Sequence, residues 1–272
     1  MAQGENSFQI LDFVVLVIML LISAGIGVYF RFTGGKQKTT QEYLLGDRNQ
    51  KIIPVAFSLM TSFLSAIAIL GTSAEMYVYG TQYLIVNLGY IICTPLAAYL
   101  YIPVFFKLQK VSAYEYLEIR FGKTARTCAS ILYSFQILAY TGVILYVPAL
   151  ALVILTGITT EWAIISVGVV CTFYSTIGGM KAVIITDVFQ SLLMFASVIC
   201  VIIVATIQLG GIEPVLRISQ ERGRIEFLNF SFDPTIRHTF WALTIGGGLT
   251  FMASFAVNQI QVQRYLTMKD VD

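Results

Sequence analysis

Along 182–209 the chain reads AVIITDVFQSLLMFASVICVIIVATIQL, and Asp187 is its only charged side chain. About 20 apolar residues at ~1.5 Å each cross the hydrocarbon core of a bilayer, so this stretch is long enough to span one as a helix. A carboxylate at that depth costs about 2.5–3.5 kcal/mol on insertion scales and ordinarily faces a polar cavity, an ion or a partner. Asp187 therefore calls for compensation, and a cation is the simplest form of it.

The pattern is not confined to one run. Seven apolar segments can be read at about 10–30, 52–80, 82–106, 125–156, 161–177, 182–209 and 239–263. The chain is 12% charged and 57% hydrophobic, whereas soluble domains carry about 25% charged residues. The expectation is an all-α, polytopic membrane protein of about seven transmembrane helices forming a single domain over 1–272. The four cysteines, Cys93, Cys128, Cys171 and Cys200, fall in or beside apolar runs without a CxxC spacing. They read as small apolar fillers rather than metal ligands or disulfides. His238 borders an apolar segment and reads as interfacial. The residues before Ile10 include Glu5 and no Lys or Arg, so no secretory signal is expected.

Basic residues set the expected orientation. Of the 17 lysines and arginines, most fall in the first, third and fifth loops and the C-terminal end. The second and fourth loops have none, and the long loop 211–237 has Arg217, Arg222, Arg224 and Arg237. The positive-inside bias then puts the N-terminus outside and the C-terminus in the cytoplasm, with 211–237 extracellular. The acceptor triplet Asn229-Phe230-Ser231 lies in that loop and makes Asn229 a glycosylation candidate. The stretch 111–126 mixes aromatic, acidic and basic residues and reads as an amphipathic helix along the cytoplasmic interface. A second short amphipathic helix is expected before Gly223.

Polar groups gather inside the apolar segments. Ser58, Thr61 or Ser62, and Ser65 recur at helical spacing in the second, so hydroxyls form a stripe along one face. Small polar residues of this kind can simply let helices pack closely. They can equally mark a discontinuous helix whose carbonyls and hydroxyls coordinate an ion. Gln190 shares the Asp187 face, three positions on. The seventh segment carries Gly246, Gly247 and Gly248, which loosen its backbone, then Ser254, Asn258 and Gln259; the fourth carries Tyr140, Thr141 and Pro148. Carboxylate, hydroxyl and carbonyl oxygens suit a hard cation, here Na⁺, rather than a transition metal. The alternative for Asp187 is a structural partnership with a polar group on a neighbouring helix. Enzymatic readings lack residues: no GxSxG, no GKS/T phosphate loop and no HExxH occurs. No cofactor and no nucleic-acid partner is expected.

Several blocks are similar to the sodium/solute symporter family, in its branch of iodide, monocarboxylate and multivitamin carriers. They are EYLLGDR (42–48), SFLSA (62–66), SAYEYLEIRF (112–121), YTGVILYVPAL (140–150), CTFYSTIGGMKAVIITDVFQ (171–190) and VNQIQVQRY (257–265). The resemblance implies a leucine-transporter-like five-plus-five inverted repeat with one extra N-terminal helix. On that pattern the second segment is the first core helix and breaks at the site. The carbonyls of Thr61 and Leu64 and the hydroxyls of Ser62 and Ser65 match sodium-site positions. Asp187 and Gln190 match the acidic helix supporting sodium, and Gln259 a polar position near a sodium site. Phe63, Tyr140, Phe251 and Phe255 match positions lining the substrate cavity.

Departures from the pattern narrow the substrate. Ala68 stands where sugar and iodide carriers have a glutamine, Phe251 and Phe255 replace a Trp and a Tyr of the iodide-like pattern, and Asn87 and Tyr90 also differ. A greasier cavity suits a small organic anion, a monocarboxylate first and the vitamin carboxylates pantothenate and biotin next, with iodide as a further alternative. The chain stops just after the sixth core helix of the pattern. It therefore reads as a truncated product, an incomplete gene model or a short isoform that should not form an alternating-access carrier alone. In the complete protein the expectation is sodium-coupled symport across the plasma membrane. A second expectation is a non-transporting piece that associates with full-length carriers.

Overall fold

A computed structural model describes residues 10–33 and 39–269. Lys36 and Lys38 of the first loop, the N-terminal stretch with Glu5, and Asp270 to Asp272 lie outside the described residues. Among those residues the structure is helical, with one isolated bridge between Gln50 and Met268. Four helices are long and apolar enough to cross a membrane: Asp12–Phe32, Thr81–Leu108, Lys123–Ile154 and Thr160–Gln208. Ile52–Thr61 with Ala66–Tyr79 makes a fifth if taken as one broken span, and Ala242–Phe255 is a shorter apolar helix. Outward side chains such as Phe135, 74% exposed, and Leu138, 73% exposed, suit lipid or a further packed helix rather than water.

The helix boundaries differ from the sequence reading in three places. The segments 161–177 and 182–209 form one helical run, Thr160–Gln208, interrupted at Gly179. Gly179 takes φ 58° and ψ −163°, a backbone state essentially reserved for glycine. One such residue turns the chain without a connecting loop, so Lys181 sits in the first turn after the bend rather than in a loop. The segment 239–263 is two helices: Ala242–Phe255, which opens on a π turn over Ala242–Gly246, and Gln259–Tyr265. The second restarts at Asn258, whose side-chain oxygen accepts from the Ile260 amide as an N-cap does. The 82–106 segment is Thr81–Leu108, in which Pro95 removes one helical hydrogen bond and a π turn follows at Ala97–Tyr101. Within 111–126 the helix is Glu115–Phe121, ended by Gly122 at φ 88°. Within 211–237 it is Ile212–Glu221.

The chain divides into two compact units, Met1–Ile67 with Tyr114–Phe189 and Thr267–Lys269, and Ala68–Ala113 with Gln190–Leu266 and Asp270–Asp272. In the first, Ile10–Phe32 meets the part of the long run just before the Gly179 bend glycine to glycine. A Cβ on Gly178 would stand 2.9 Å from Gly27 Cα, and one on Gly27 would stand 2.9 Å from the Tyr174 carbonyl. Small residues allow such backbone approach where lipid gives helices no hydrophobic drive to associate. Val55, Ala182 and Ile184, each 0% exposed, form the core of this unit.

The second unit uses the same device between Thr81–Leu108 and Ala242–Phe255. A Cβ on Gly89 would lie 2.3 Å from the Thr244 carbonyl oxygen, and Gly248 backs onto Gly89 and Cys93. Within the triplet 246–248, expected to loosen its helix, Gly247 and Gly248 therefore also serve close packing, with Gly247 set against Val86.

This unit also fastens its long loop. Glu75 accepts from Arg237 Nε at 2.6 Å, from a second guanidinium nitrogen at 3.2 Å, and pairs with His238 Nε2 at 2.9 Å. Arg237 lies 4.5 Å over the Tyr79 ring and Arg224 lies 3.8 Å over that of Tyr77. The hydrogen bond from Arg237 to Glu75 raises the guanidinium further above its ordinary range. Thr81 adds its amide to the Arg224 carbonyl at 2.8 Å and its hydroxyl to the Glu226 carbonyl at 2.9 Å. Bidentate arginine–carboxylate pairs fix geometry as well as charge. Glu75→Gln and Arg237→Gln are accordingly expected to speed proteolysis of the 222–241 loop in membrane vesicles, and the exchange E75R/R237E to slow it again. Equal digestion of all of them and the parent would show that Glu75 and Arg237 do not hold the loop.

Candidate functional site

The helix Ile52–Thr61 ends because its hydroxyls compete for helix carbonyls. Thr61 Oγ1 donates to the Phe57 carbonyl, and Ser62 Oγ to that of Ser58 at 2.7 Å. The Ser58 carbonyl also takes the Ser62 amide at 3.1 Å. The Met60 carbonyl takes both the Phe63 and Leu64 amides, at 3.2 and 3.0 Å, and the Ser65 amide turns back to Phe63 at 2.9 Å. Side-chain hydroxyls offer the backbone an alternative to the helical ladder, and here the ladder stops until Ala66–Tyr79 begins. The helix C-terminus directs its carbonyls and the negative end of its dipole into the break, which favours a cation there.

Asp187 reaches this helix end within the same unit. Its Oδ2 accepts from Ser58 Oγ at 2.5 Å, and Thr61 Oγ1 lies 3.4 Å from the Asp187 carbonyl oxygen. Ser58 and Thr186 are 0% exposed, while Asp187 itself is half-buried. The Ser58 bond has the short length of a charge-assisted O–H···O⁻ contact. The Ser58 hydroxyl stands against the acid beside which the sequence reading expects a cation. A hydroxyl contributes a dipole and no charge, so it orients the carboxylate without neutralising it. The Thr61 hydroxyl proton goes to Phe57, the closer acceptor, which leaves lone pairs on its oxygen able to face a cation.

The expected ligands are thus placed in two groups. Thr61, Ser62, Leu64 and Ser65 occupy the break, with Asp187 against the adjoining turn. Gln190 is half-buried, one turn beyond Asp187 on the same helix. Gln259 is engaged otherwise: its Oε1 accepts from the Ala113 amide at 2.7 Å and its Nε2 donates to the Val111 carbonyl at 3.0 Å. Both ends of this amide thereby hold the turn at 111–113, a structural duty that its place in the VNQIQVQRY block did not reveal. Ser58 belongs to the hydroxyl stripe but not to the expected ligand set. Its signal was the helical spacing to Thr61.

The expected substrate residues also separate. Phe251 stacks on Phe255 at 4.2 Å between ring centroids and on Tyr90 at 4.9 Å, with interplanar angles of 23° and 28°. Tyr90, noted in the sequence only as a departure, completes this aromatic row. Asn87 Nδ2 donates to the Leu84 carbonyl at 2.9 Å, on its own helix. Ala68 and Phe63 are half-buried. Tyr140 is 46% exposed on Lys123–Thr156, and its neighbour Thr141 bonds back to Ile137.

In the long loop, Asn229 Oδ1 accepts from the Ser231 amide at 3.0 Å, and the Asn229 amide donates to Gln82 Oε1 at 3.3 Å. The Asp233 carboxyl is held below its usual range by hydrogen bonds from the Thr235 amide and hydroxyl.

Residues 43–272 match the family profile described as Sodium:solute symporter family. A Drosophila melanogaster protein provisionally named a sodium-dependent multivitamin transporter is 54% identical over 96% of this chain and 43% of its own length. Human sodium-coupled monocarboxylate transporter 1 is 46% identical over 98% of this chain and 44% of its own. The chain thus spans less than half the length of these curated relatives. Among solved structures, the substrate-bound outward-open state of a Na⁺-coupled sialic acid symporter superposes with a TM-score of 0.90. It is 29% identical and covers 97% of this chain and 56% of the symporter.

Proposed function

This chain belongs to the sodium:solute symporter family, and on that premise we propose that it serves sodium-coupled symport of a small organic anion. The chain is a multi-pass membrane protein of a carrier family, not of an enzyme family. The observation that carries the reading is the Asp187 carboxylate set by Ser58 at 2.5 Å against a helix that breaks into the oxygens of Thr61, Ser62, Leu64 and Ser65. That combination is the chemistry a hard cation selects. Na⁺ is the coupling ion and no cofactor is required; Gln190 completes the acidic helix face. Gln259, which the family pattern puts near a sodium position, holds the 111–113 turn through both ends of its amide.

The cargo side is the apolar row Phe251, Phe255 and Tyr90; the family pattern assigns Phe63, Ala68 and Tyr140 to substrate binding as well. A monocarboxylate suits it, since the carboxylate balances Na⁺ and the short carbon chain lies on the rings. A vitamin carboxylate such as pantothenate or biotin is the second reading, favoured by the higher identity to the relative named for multivitamins, 54% against 46%. Sodium raises affinity for the solute, and the solute raises affinity for sodium by the same factor. The setting is the plasma membrane, N-terminus outside and cytoplasmic after 263, with Asn229 as the extracellular glycan acceptor.

The test uses the intact gene product in cells. Lactate uptake that falls to background when choline replaces sodium is expected, with biotin or pantothenate competing if the vitamin reading holds. Uptake of any of these that ignores sodium replacement would overturn the proposal.

A further inference from the structure

Three consecutive left-handed residues of the first unit lie in the turn after the short helix Thr40–Leu45. Gly46, Asp47 and Arg48 take φ of 57°, 62° and 53° in succession. Left-handed backbone suits glycine and is disfavoured for other residues, so two non-glycine residues there persist only when their surroundings hold them. The surroundings are specific. Lys181 Nζ stands 2.7 Å from Asp47 Oδ2 and 3.5 Å from Glu42 Oε1. Lys181 follows Gly179, the bend of the long helical run, by two positions.

Further contacts seat the turn on the same bend. Tyr43 donates its hydroxyl to the Thr176 carbonyl at 3.1 Å. Gly46 is closely packed, since a Cβ there would stand 3.1 Å from Gln50 Nε2 and 3.4 Å from the Lys181 stem. Gln50 donates its side chain to the Gly46 carbonyl and its amide to the Thr267 carbonyl, each at 3.0 Å. Glu42 has a side chain 5% exposed, Lys181 one 20% exposed and Asp47 one 49% exposed. One lysine therefore joins a buried acid, a strained acid and a bend that only glycine can make.

We propose that Lys181 with Asp47 and Glu42 is a sprung latch: the ion pair holds the 46–48 turn in its left-handed form, fastens 40–50 to the Gly179 bend, and lets both relax when it parts. Two charged groups with one partly wet side chain form a contact that is easily exchanged for water. The left-handed turn supplies a bias toward release that an unstrained ion pair lacks. Opening of the latch within a transport cycle rests on the reading of the chain as a carrier.

Leu45, 1% exposed, reports the state of the latch. The experiment places a cysteine there in the intact gene product and measures maleimide labelling at residue 45 in permeabilised membrane vesicles by mass spectrometry. Asp47→Asn is the first variant, because asparagine tolerates left-handed backbone and only the charge is lost. Lys181→Met is the second, the exchange D47K/K181D the third, and Arg48→Gly the fourth. Labelling about fivefold or more faster in the first two is expected from a local opening of this kind. The exchange variant should return toward the parent rate, and Arg48→Gly, which relieves strain while sparing the pair, should label more slowly. Parental rates in Asp47→Asn and Lys181→Met would overturn the latch, as would an exchange variant that labels as fast as the single ones. The readout needs neither sodium nor solute, so failure of the symport reading would leave it standing and measurable.

Discussion

Asp187→Asn is expected to abolish sodium-dependent uptake by the intact gene product while the protein still reaches the membrane. Asparagine has nearly the shape of aspartate and can still accept the Ser58 hydroxyl, which now reaches Asp187 Oδ2 at 2.5 Å. What it loses is the charge. An interaction with a charged partner is worth about 1.5–3 kcal/mol, which is roughly a ten- to hundredfold loss of sodium affinity. Ser58→Ala removes the orienting hydroxyl but not the charge, so a smaller rightward shift of the sodium dependence is expected, with maximal uptake retained. The two variants together separate ion binding from helix fastening. If Asp187 merely grips Ser58, Asp187→Asn keeps the grip and is nearly silent, and Ser58→Ala becomes the damaging change. Sodium titration of uptake in both, with surface expression measured alongside, reads the difference.

Gly89→Val is expected to prevent the second unit from packing. The Cβ that valine brings would lie 2.3 Å from the Thr244 carbonyl oxygen and 2.9 Å from the Gly248 amide nitrogen. Both obstacles are backbone, so no side-chain rotation relieves them and the helices Thr81–Leu108 and Ala242–Phe255 must separate. Overpacking in a well-filled interior costs about 1–3 kcal/mol, and more when backbone must move. The same separation would open the stack of Tyr90 on Phe251 at 4.9 Å. Gly71→Ala and Gly142→Ala serve as controls, because nothing lies within 4 Å of a Cβ at either position. The expected result is loss of detergent-stable protein for Gly89→Val and normal yield for both controls by fluorescence-detected size exclusion. A Gly89→Val protein as stable as the controls would show that the two helices are not held at the distance described.

How much of this was legible beforehand depended on the range of the interaction. The hydroxyl stripe from Ser58 to Ser65 is local, and local competition for carbonyls is what stops the helix at Thr61. The block GGMK showed its glycines but not that Gly179 would bend a continuous helix, because a glycine in a sequence has no φ until neighbours choose one. Gln259 was read as a site residue from its motif, and the structure turns its amide to Ala113 and Val111. Glu75 was given no role, because its partners Arg237 and His238 stand far along the chain, beyond any periodicity.

Hydrophobic runs of bilayer length, the acid inside one of them and the matching motif blocks settled, from the sequence alone, a polytopic helical chain of this family. They could do so because span length and the cost of a charge in hydrocarbon are properties of a segment by itself. Only the tertiary structure decided that Ser58 meets Asp187 across 129 positions, that Phe251 lies between Tyr90 and Phe255, and that Lys181 holds a strained turn. Those pairings depend on which helix faces come together, and small residues such as Gly27, Gly89 and Gly178 set that by allowing backbones to touch.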